Sequence, residues 1–214
     1  MFVDFAEKKW ENCVWEFMKK LLAILVLGMF WCNVGFADDI SEYQIEGISI
    51  GDSLLDHMSK EEIISEIEVN KSTYNSLTDE FGEVYLFGEF KNYDSLSFKV
   101  KIKDKHYFIY SITGGMLYDD KLDMCLAKQK ELEKEFSSTY KNTHKWKKTF
   151  KFPWDSTGES VSHNIMFRFD IGDQIEINCT KYKKSLKIEN NWSDSLQITI
   201  HTKEIMDWFS NPIN

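Results

Sequence analysis

The chain has 214 residues, a formal net charge of −9 and a sequence pI of about 5.1. Such an acidic chain argues against generic binding to nucleic acid, because the phosphate backbone attracts basic surfaces. The 35 acidic residues outnumber the 26 basic ones, along a length that suits one domain with a hydrophobic core.

Residues 18–37 have the three parts of a secretory signal peptide. Lys19 and Lys20 form a basic start, the apolar run LLAILVLGMFWCNVGF follows, and the tripeptide Gly-Phe-Ala that ends at Ala37 is a small-x-small cleavage site. We predict cleavage between Ala37 and Asp38, and hence a periplasmic or secreted protein with no stable membrane span. The alternative is an uncleaved leader that anchors the protein in the membrane. Its apolar run of sixteen residues is shorter than the roughly 20 that a spanning helix needs.

Residues 1–17 carry four acidic residues against two lysines, although the start of an export signal is normally basic. We therefore interpret these residues as a mis-called N-terminal extension and predict that Met18 is the true start. Residues 38–214 are then predicted to form a single mature domain. Residues 1–37 contain four acidic and four basic residues, so the mature domain keeps the net charge of −9.

The cysteines indicate how the mature domain is cross-linked. Cys13 and Cys32 precede the predicted cleavage site, which leaves only Cys125 and Cys179. Two cysteines in an exported chain predict one disulfide. A disulfide that closes a loop of this length would stabilise the fold by roughly 3–5 kcal/mol in the chain-entropy model. The alternatives are two buried free thiols or a pair of metal ligands.

The stretch DDKLDMCLAKQKELEKEFSSTY, residues 119–140, predicts the central element of the fold. Apolar residues and Cys125 recur at helical spacing, with Gln129 as the one polar interruption. This is the pattern of an amphipathic helix that lies on a core, with Cys125 facing that core. Asp119 or Asp120 is expected to cap the first turn through its carboxylate.

Shorter elements are predicted on either side of this helix. Ser59 and Glu62 form a capping box for a helix that runs to about Ile67, and a Gly-Gly pair at 114–115 is expected to end the strand before the central helix. The remaining strands alternate apolar and polar residues. Strands are expected over residues 83–90, 95–103, 106–113, 146–152, 161–169, 175–179 and 196–200, with a terminal helix over 203–210.

Short strands joined by tight turns indicate antiparallel pairing. The predicted fold class is therefore α+β: an antiparallel sheet covered by one long amphipathic helix, with short N- and C-terminal helices. Cys179 falls on the apolar face of its strand, so both cysteines are expected to meet in one layer.

The tetrapeptide Gly-Asp-Ser-Leu at residues 51–54 follows a short apolar segment. It resembles the opening block of the GDSL (SGNH) esterase family, and the resemblance implies Ser53 as a nucleophile and a periplasmic serine hydrolase as an alternative function. That family also needs a late Asp-x-x-His and a Gly-x-Asn-Asp block. Neither occurs in this chain. The structural alternative is that Asp52 or Ser53 caps a helical turn.

Histidine spacing predicts no metal site and no cofactor, because none of the five histidines has a partner at metal-ligand spacing. His163 is expected to be a hydrogen-bonded core residue. The acidic cluster at residues 119–123 lacks the pattern of a calcium loop, and helix capping explains it better. Arg168 is the only arginine; it suits a bidentate ion pair, with a ligand carboxylate as the alternative partner.

Lysines surround Trp146 and Tyr182 in two segments. Basic residues interleaved with aromatic ones suit an anionic polymer or a membrane surface. Alternation along strands favours a solvated lysine face instead, which also protects the edge of a sheet.

The run IEGISIGDSLLDHMSKEEI behind an export leader resembles exported bacterial proteins that share a Gly-Ile-Ser-Ile-Gly-Asp-Ser-Leu block and a mid-chain helix with one Cys. That resemblance implies export and transfers no activity. Because the sequence holds no complete catalytic constellation, we interpret the protein as a non-enzymatic binding domain rather than an enzyme. Its partner is expected to be an envelope protein or a small ligand, and an envelope-anchored structural protein is a further alternative.

Overall fold

The computed structural model describes residues 40–73 and 80–210. The predicted leader, with its cleavage site at Ala37 and Asp38, lies outside the described residues. Two short 3-10 turns, Ile40–Glu42 and Leu54–Asp56, precede the first helix. The elements that follow, in chain order, are α1 (Lys60–Thr73), β1 (Phe81–Leu86), β2 (Ser95–Lys101), β3 (Ile109–Leu117), α2 (Leu122–Thr139), β4 (Thr143–Lys151), β5 (Val161–Phe169), β6 (Gln174–Lys181), α3 (Lys184–Asn190), β7 (Ser195–His201) and α4 (Lys203–Ser210).

All seven strands join one antiparallel sheet in the order β1-β2-β3-β7-β6-β5-β4. The pairing of β3 with β7 links the three strands before α2 to the four strands after it. This confirms the predicted α+β class and the order of strands around the long helix. The short helix α3 was not predicted, because its sequence KSLKIEN has neither a side-chain cap nor a buried stripe.

One face of the sheet, here called the helix face, is apolar and packs against α2. Ile112, Ile200 and Ile175 lie side by side on β3, β7 and β6, and each of these side chains is fully buried. They belong to the main hydrophobic cluster, which also contains Phe136 of α2. Burial of such side chains stabilises the fold by roughly 1.5–3 kcal/mol each.

A disulfide joins Cys125 of α2 to Cys179 of β6, as predicted, with a Cα–Cα distance of 6.0 Å. Four residues along the helix, the buried Gln129 donates hydrogen bonds from Nε2 to the carbonyls of His163, at 2.6 Å, and Ile177, at 2.7 Å. The polar interruption in the helix stripe is therefore a second attachment of α2, to backbone carbonyls of β5 and β6.

The predicted cap of α2 is wrong. The helix begins at Leu122, and its N-cap residue Lys121 makes no side-chain capping bond. Asp120 instead has a positive φ of 55° and accepts a hydrogen bond from Lys187 at 2.6 Å. The ion pair with this lysine holds the carboxylate away from the first helical turn.

The capping box of α1 is confirmed. The backbone N–H of Ser59 donates to the Glu62 carboxylate at 2.8 Å, and the Glu62 N–H donates to the Ser59 hydroxyl at 3.3 Å. The helix is longer than expected and shields the free edge of β1. The Glu66 carboxylate accepts from the backbone N–H of Tyr85 at 3.2 Å, so this edge N–H is not free to pair with a strand of another chain.

The expected strand break at the two glycines is also wrong, because β3 continues through them to Leu117. A Cβ on Gly114 would lie 2.5 Å from the ring of Tyr93, and one on Gly115 would lie 2.8 Å from the hydroxyl of Ser95. The glycines therefore admit neighbouring side chains rather than end the strand.

The opposite edge strand, β4, is almost entirely exposed, with lysines on both of its faces. Lys145 and Lys147 pair with Glu133 of α2 at 3.0 and 2.6 Å. Charged side chains on an edge strand oppose pairing with another chain. Within the described residues, no helix is long and apolar enough to cross a membrane.

Candidate functional site

The second face of the sheet, here called the polar face, carries the alternate residues of the same seven strands. In its middle these residues have hydroxyl, amide and carboxyl side chains, because β2, β3, β7 and β6 present polar positions to this side. The register places the following residues there: Ser97 on β2, Thr113 on β3, Thr199 on β7, Glu176 on β6 and Asn164 on β5.

One cross-strand row of the polar face runs through Thr199. Its members in spatial order are Tyr85, Ser97, Thr113, Thr199, Glu176, Met166 and Trp146. Thr113 donates a hydrogen bond to Thr199 at 3.1 Å. The row has an aromatic ring at each edge strand and spans roughly 29 Å at the usual strand spacing.

The neighbouring row runs through Gln197, which is exposed and lies between Gly115 and Asn178. Asn178 is paired in register with Asn164, so amides from β7, β6 and β5 are adjacent. The Asn178 Oδ1 is buried without a hydrogen-bond partner, the only side-chain atom of this kind among the described residues. A buried acceptor without a partner costs about 1–3 kcal/mol.

Glu176 is the acid in the middle of this face. Burial raises the pKa of its carboxyl, and the hydrogen bond from Asn178, at 3.4 Å, only partly opposes that effect.

Helix α4 covers one end of the polar face, where Phe209 contacts His201 edge-on at 5.5 Å. His201 shares a hydrogen bond of 2.9 Å with Ser111. Burial, with a smaller effect of Lys99, lowers the pKa of His201 to about 3, so the imidazole is neutral. Both members of this serine–histidine pair are buried, and no carboxylate is recorded among the hydrogen-bond partners of His201 within the described residues.

Further from α4, towards β1 and β2, the polar face contains a cavity of about 210 Å³. Its lining is almost wholly polar, with Tyr85 as the one aromatic side chain. Glu83, one of the lining residues, is paired with Lys99 at 3.1 Å, so the charge beside the cavity is balanced. The lining residues are Glu83, Tyr85, Ser95, Ser97, Thr113, Gly115 and Gln197.

A second cavity of about 310 Å³ lies between α2 and strands β4 and β5, and the predicted candidate His163 lines it. The His163 ring is half-buried and shares a hydrogen bond of 2.9 Å with Thr149. Glu133 lines the same cavity. Burial raises the pKa of its carboxyl, but the hydrogen bonds from Lys147 and Lys145 outweigh that effect and hold the pKa below its usual value. The ion pairs of Glu133 with Lys145 and Lys147 attach α2 to the edge strand of the sheet.

Ser53 is the N-cap of the turn Leu54–Asp56. Its hydroxyl donates to the carbonyl of His106 at 2.7 Å and accepts from the N–H of Leu55 at 3.3 Å. The hydroxyl proton is thus held by a backbone carbonyl, whereas a nucleophilic serine needs a base as its acceptor. The capping alternative accounts for the bond from Leu55, and the bond to His106 ties the turn to the segment before β3.

Arg168 is exposed on β5, between His144 and Gln174 in register. Within residues 40–73 and 80–210, Arg168 forms no ion pair, so the bidentate ion pair expected for it is not found there. Over the same described ranges, no three His, Cys, Asp or Glu side chains are grouped so as to hold a metal ion.

Comparisons with protein-family models, curated proteins and solved structures found no match to this chain. The class of protein is therefore defined by its own geometry: a disulfide-linked α+β domain with one apolar and one polar sheet face. The polar face was not singled out from the sequence, although strict alternation along the strands was its signal.

Proposed function

We propose that the protein is an exported, non-enzymatic binding domain that takes a ligand on the polar face of its sheet. The observation that carries the proposal is the row of hydroxyl, amide and carboxyl side chains, part of which α4 leaves accessible. An antiparallel sheet commonly packs one face on the core and leaves the other face solvated, and here part of the solvated face is open to a ligand.

The chemistry of the face supports a neutral, hydrogen-bonding ligand. Lys99 is paired with Glu83, so these two charges balance, and burial raises the pKa of the Glu176 carboxyl. Asn178 and Gln197 contribute amides that both donate and accept, and Asn178 carries the unsatisfied Oδ1. The exposed Gln197 amide can donate to and accept from a bound hydroxyl or amide.

Export is the second part of the proposal. The Cys125–Cys179 disulfide belongs to oxidising compartments, and the predicted leader over residues 18–37 directs the chain to one. Intact mass of the protein from its native envelope, with and without reductant, tests this. We expect a chain that begins at Asp38 and gains two hydrogens on reduction; a chain that keeps the leader would support the anchored alternative.

A thermal-shift screen of a metabolite library tests the binding site. A ligand at 100 times its Kd should raise the free energy of unfolding by about 2.7 kcal/mol. In Asn178→Leu and Gln197→Leu the same ligand should bind about tenfold more weakly, because each substitution removes a hydrogen-bonding amide. Asn92→Leu, in an exposed loop, is the matched control and should leave affinity unchanged.

The screen also gives results that reject the proposal. A ligand whose shift is equal in all three variants binds elsewhere on the molecule. Turnover of a ligand, followed by mass spectrometry, would reject the non-enzymatic part and direct attention to Ser53 or the Ser111–His201 pair.

A further inference from the structure

Four aromatic rings meet at the end of the polar face that lies away from α4, and they are here called the aromatic cluster: Phe152, Trp154, Tyr182 and Trp192. Trp154 stacks on Phe152 with ring centroids 4.7 Å apart. Trp192 stands at 62° to Trp154, at 5.4 Å, so the two indoles form a corner. About half of Trp154 and 40% of Trp192 are exposed to solvent.

The cluster continues the polar face beyond its last row. Phe150, Ser162 and Thr180 are paired in register on that face. The backbone N–H of Phe152 donates to the carbonyl of Ser160 at 3.3 Å, which extends the pairing by two residues. Because side chains alternate along a strand, Phe152 lies on the same side as Phe150.

The loop that bears Trp154 is held by Asp155. This carboxylate accepts from the Thr157 hydroxyl at 2.6 Å and from the Ser160 N–H at 2.7 Å. The hydrogen bonds from Thr157 and Ser160 hold the pKa of Asp155 well below its usual range. The motif Asp-Ser-Thr-Gly is thus a loop anchor that presents Trp154.

The other half of the cluster is held by Asp194, which is buried. It accepts from the Tyr182 N–H at 2.8 Å and from Lys187 at 3.0 Å. Trp192 follows a left-handed residue, Asn191, and its N–H donates to the Lys187 carbonyl at 3.0 Å. Both loops are therefore fixed before any partner arrives, which reduces the entropic cost of binding.

We infer that the aromatic cluster is a platform for a saccharide ring and that the polar face beside it binds the hydroxyl groups of the same ligand. A pyranose has an apolar C–H face and a rim of hydroxyls, so it matches an aromatic surface that adjoins hydroxyl and amide side chains. This inference rests on the proposed function and gives its ligand a chemical class.

Two lysines near the cluster are paired with carboxylates, and hydroxyl side chains adjoin the rings, which suits a neutral saccharide. Lys187 is paired with Asp194 and Asp120, and Lys183 lies 3.9 Å from Glu159. A membrane-binding surface would place the indoles in apolar surroundings with free basic residues. Here the row that adjoins the cluster on its polar-face side contains the hydroxyls of Ser162 and Thr180 beside the ring of Phe150.

A glycan microarray probed with the purified chain is the first test, followed by titration of neutral hexasaccharides such as cellohexaose, maltohexaose and chitohexaose. We expect binding to at least one glycan class, with quenching of tryptophan fluorescence. Trp154→Ala and Trp192→Ala should each weaken binding about tenfold. Trp154→Phe, which keeps a ring, should retain most of the affinity.

Ile188→Ala is the matched control, because this side chain is 76% exposed on α3 and makes none of the ring contacts of the cluster. It should bind as the unsubstituted chain does. A microarray with no bound glycan overturns the inference, and so does glycan binding that neither tryptophan substitution weakens. Sedimentation with anionic phosphatidylglycerol vesicles that depends on Trp154, without glycan binding, overturns it in favour of a membrane surface.

The same experiments separate the two proposals. If no glycan binds but a library ligand is lost in Asn178→Leu and Gln197→Leu, the polar-face site stands and the saccharide class falls. If glycans bind through Trp154 and Trp192 but tolerate both amide substitutions, the platform stands and the polar face is not part of the site.

Discussion

The helix face and the polar face are built from alternate residues of the same strands, yet they differ in almost every respect. On β6, Ile175, Ile177 and Cys179 face α2, whereas Glu176 and Asn178 face the other way. The first set is fully buried, and its Cys179 is covalently attached to the helix. The second set is half-buried and includes an unsatisfied acceptor.

This difference indicates that the two faces of the sheet have different roles. The helix face has aliphatic packing, a disulfide and a buried amide anchor, which all stabilise the fold. The polar face leaves one buried acceptor, Asn178 Oδ1, without a partner, which lowers stability slightly, and under the proposed function its accessible part binds the ligand. Substitutions on the helix face should therefore change stability most, and those on the polar face should change pH dependence and binding.

The largest effect is expected from removal of the disulfide. The double variant Cys125→Ala, Cys179→Ala should lose about 4 kcal/mol of unfolding free energy, since the bond spans 54 residues of sequence. Urea unfolding measures this. Reductant should lower the stability of the parent chain by a similar amount and leave the variant unchanged, and equal stability of the two proteins would contradict the prediction.

The second largest effect is expected at Gln129. Gln129→Leu removes the donor to the carbonyls of His163 and Ile177, and we expect a loss of about 2–4 kcal/mol because buried carbonyls are left unsatisfied. Lys130→Ala, one residue along and exposed, is the matched control and should stay within about 0.5 kcal/mol of the parent chain. A Gln129→Leu variant as stable as this control would show that the amide anchor contributes nothing.

Part of this comparison could be predicted from the sequence. The period of two placed Cys179 on the apolar side of β6, and the helical period placed Cys125 on the buried stripe of α2, so the disulfide followed. Gln129 stood out as a polar residue within that stripe, but its carbonyl partners lie 34 and 48 residues away. A sequence pattern carries no information on which backbone groups a helix will meet.

The candidate site was harder to predict for a related reason. Polar residues that alternate with apolar ones are expected to face solvent, and half-burial at Glu176 arises only when seven strands pair. The aromatic cluster likewise joins Trp154 to Trp192 from separate loops. The Gly-Asp-Ser-Leu block drew attention to Ser53 instead, where the local need is only a cap for a short turn.

An effect that is smaller per pH unit, and specific to the polar face, is expected from acidification. The folded state keeps His201 neutral down to a pKa of about 3, whereas the unfolded state takes up a proton near pH 6.5. Between these values the unfolded state binds one more proton, so stability falls by about 1.4 kcal/mol for each pH unit of acidification. Above pH 6.5 this contribution is fully present.

Urea unfolding at a series of pH values measures this slope. His201→Gln keeps a side chain that can bond to Ser111 but cannot titrate, so its stability should fall less steeply between pH 6 and pH 4. Identical slopes in the two proteins would show that other groups cause the acid sensitivity.

The smallest effect is expected at Glu176, and its sign is opposite to that of the helix-face substitutions. Because burial raises the pKa of this carboxyl in the folded state, ionisation at neutral pH opposes folding. Glu176→Gln should therefore be more stable than the parent chain at pH 7. The gain should shrink as pH falls through the folded pKa and disappear below the unfolded value near 4.5. If Glu176→Gln also loses affinity for a polar-face ligand, the carboxyl contributes to binding at a cost in stability. If Glu176→Gln is less stable than the parent chain at pH 7, the fold needs the carboxylate and the prediction is wrong.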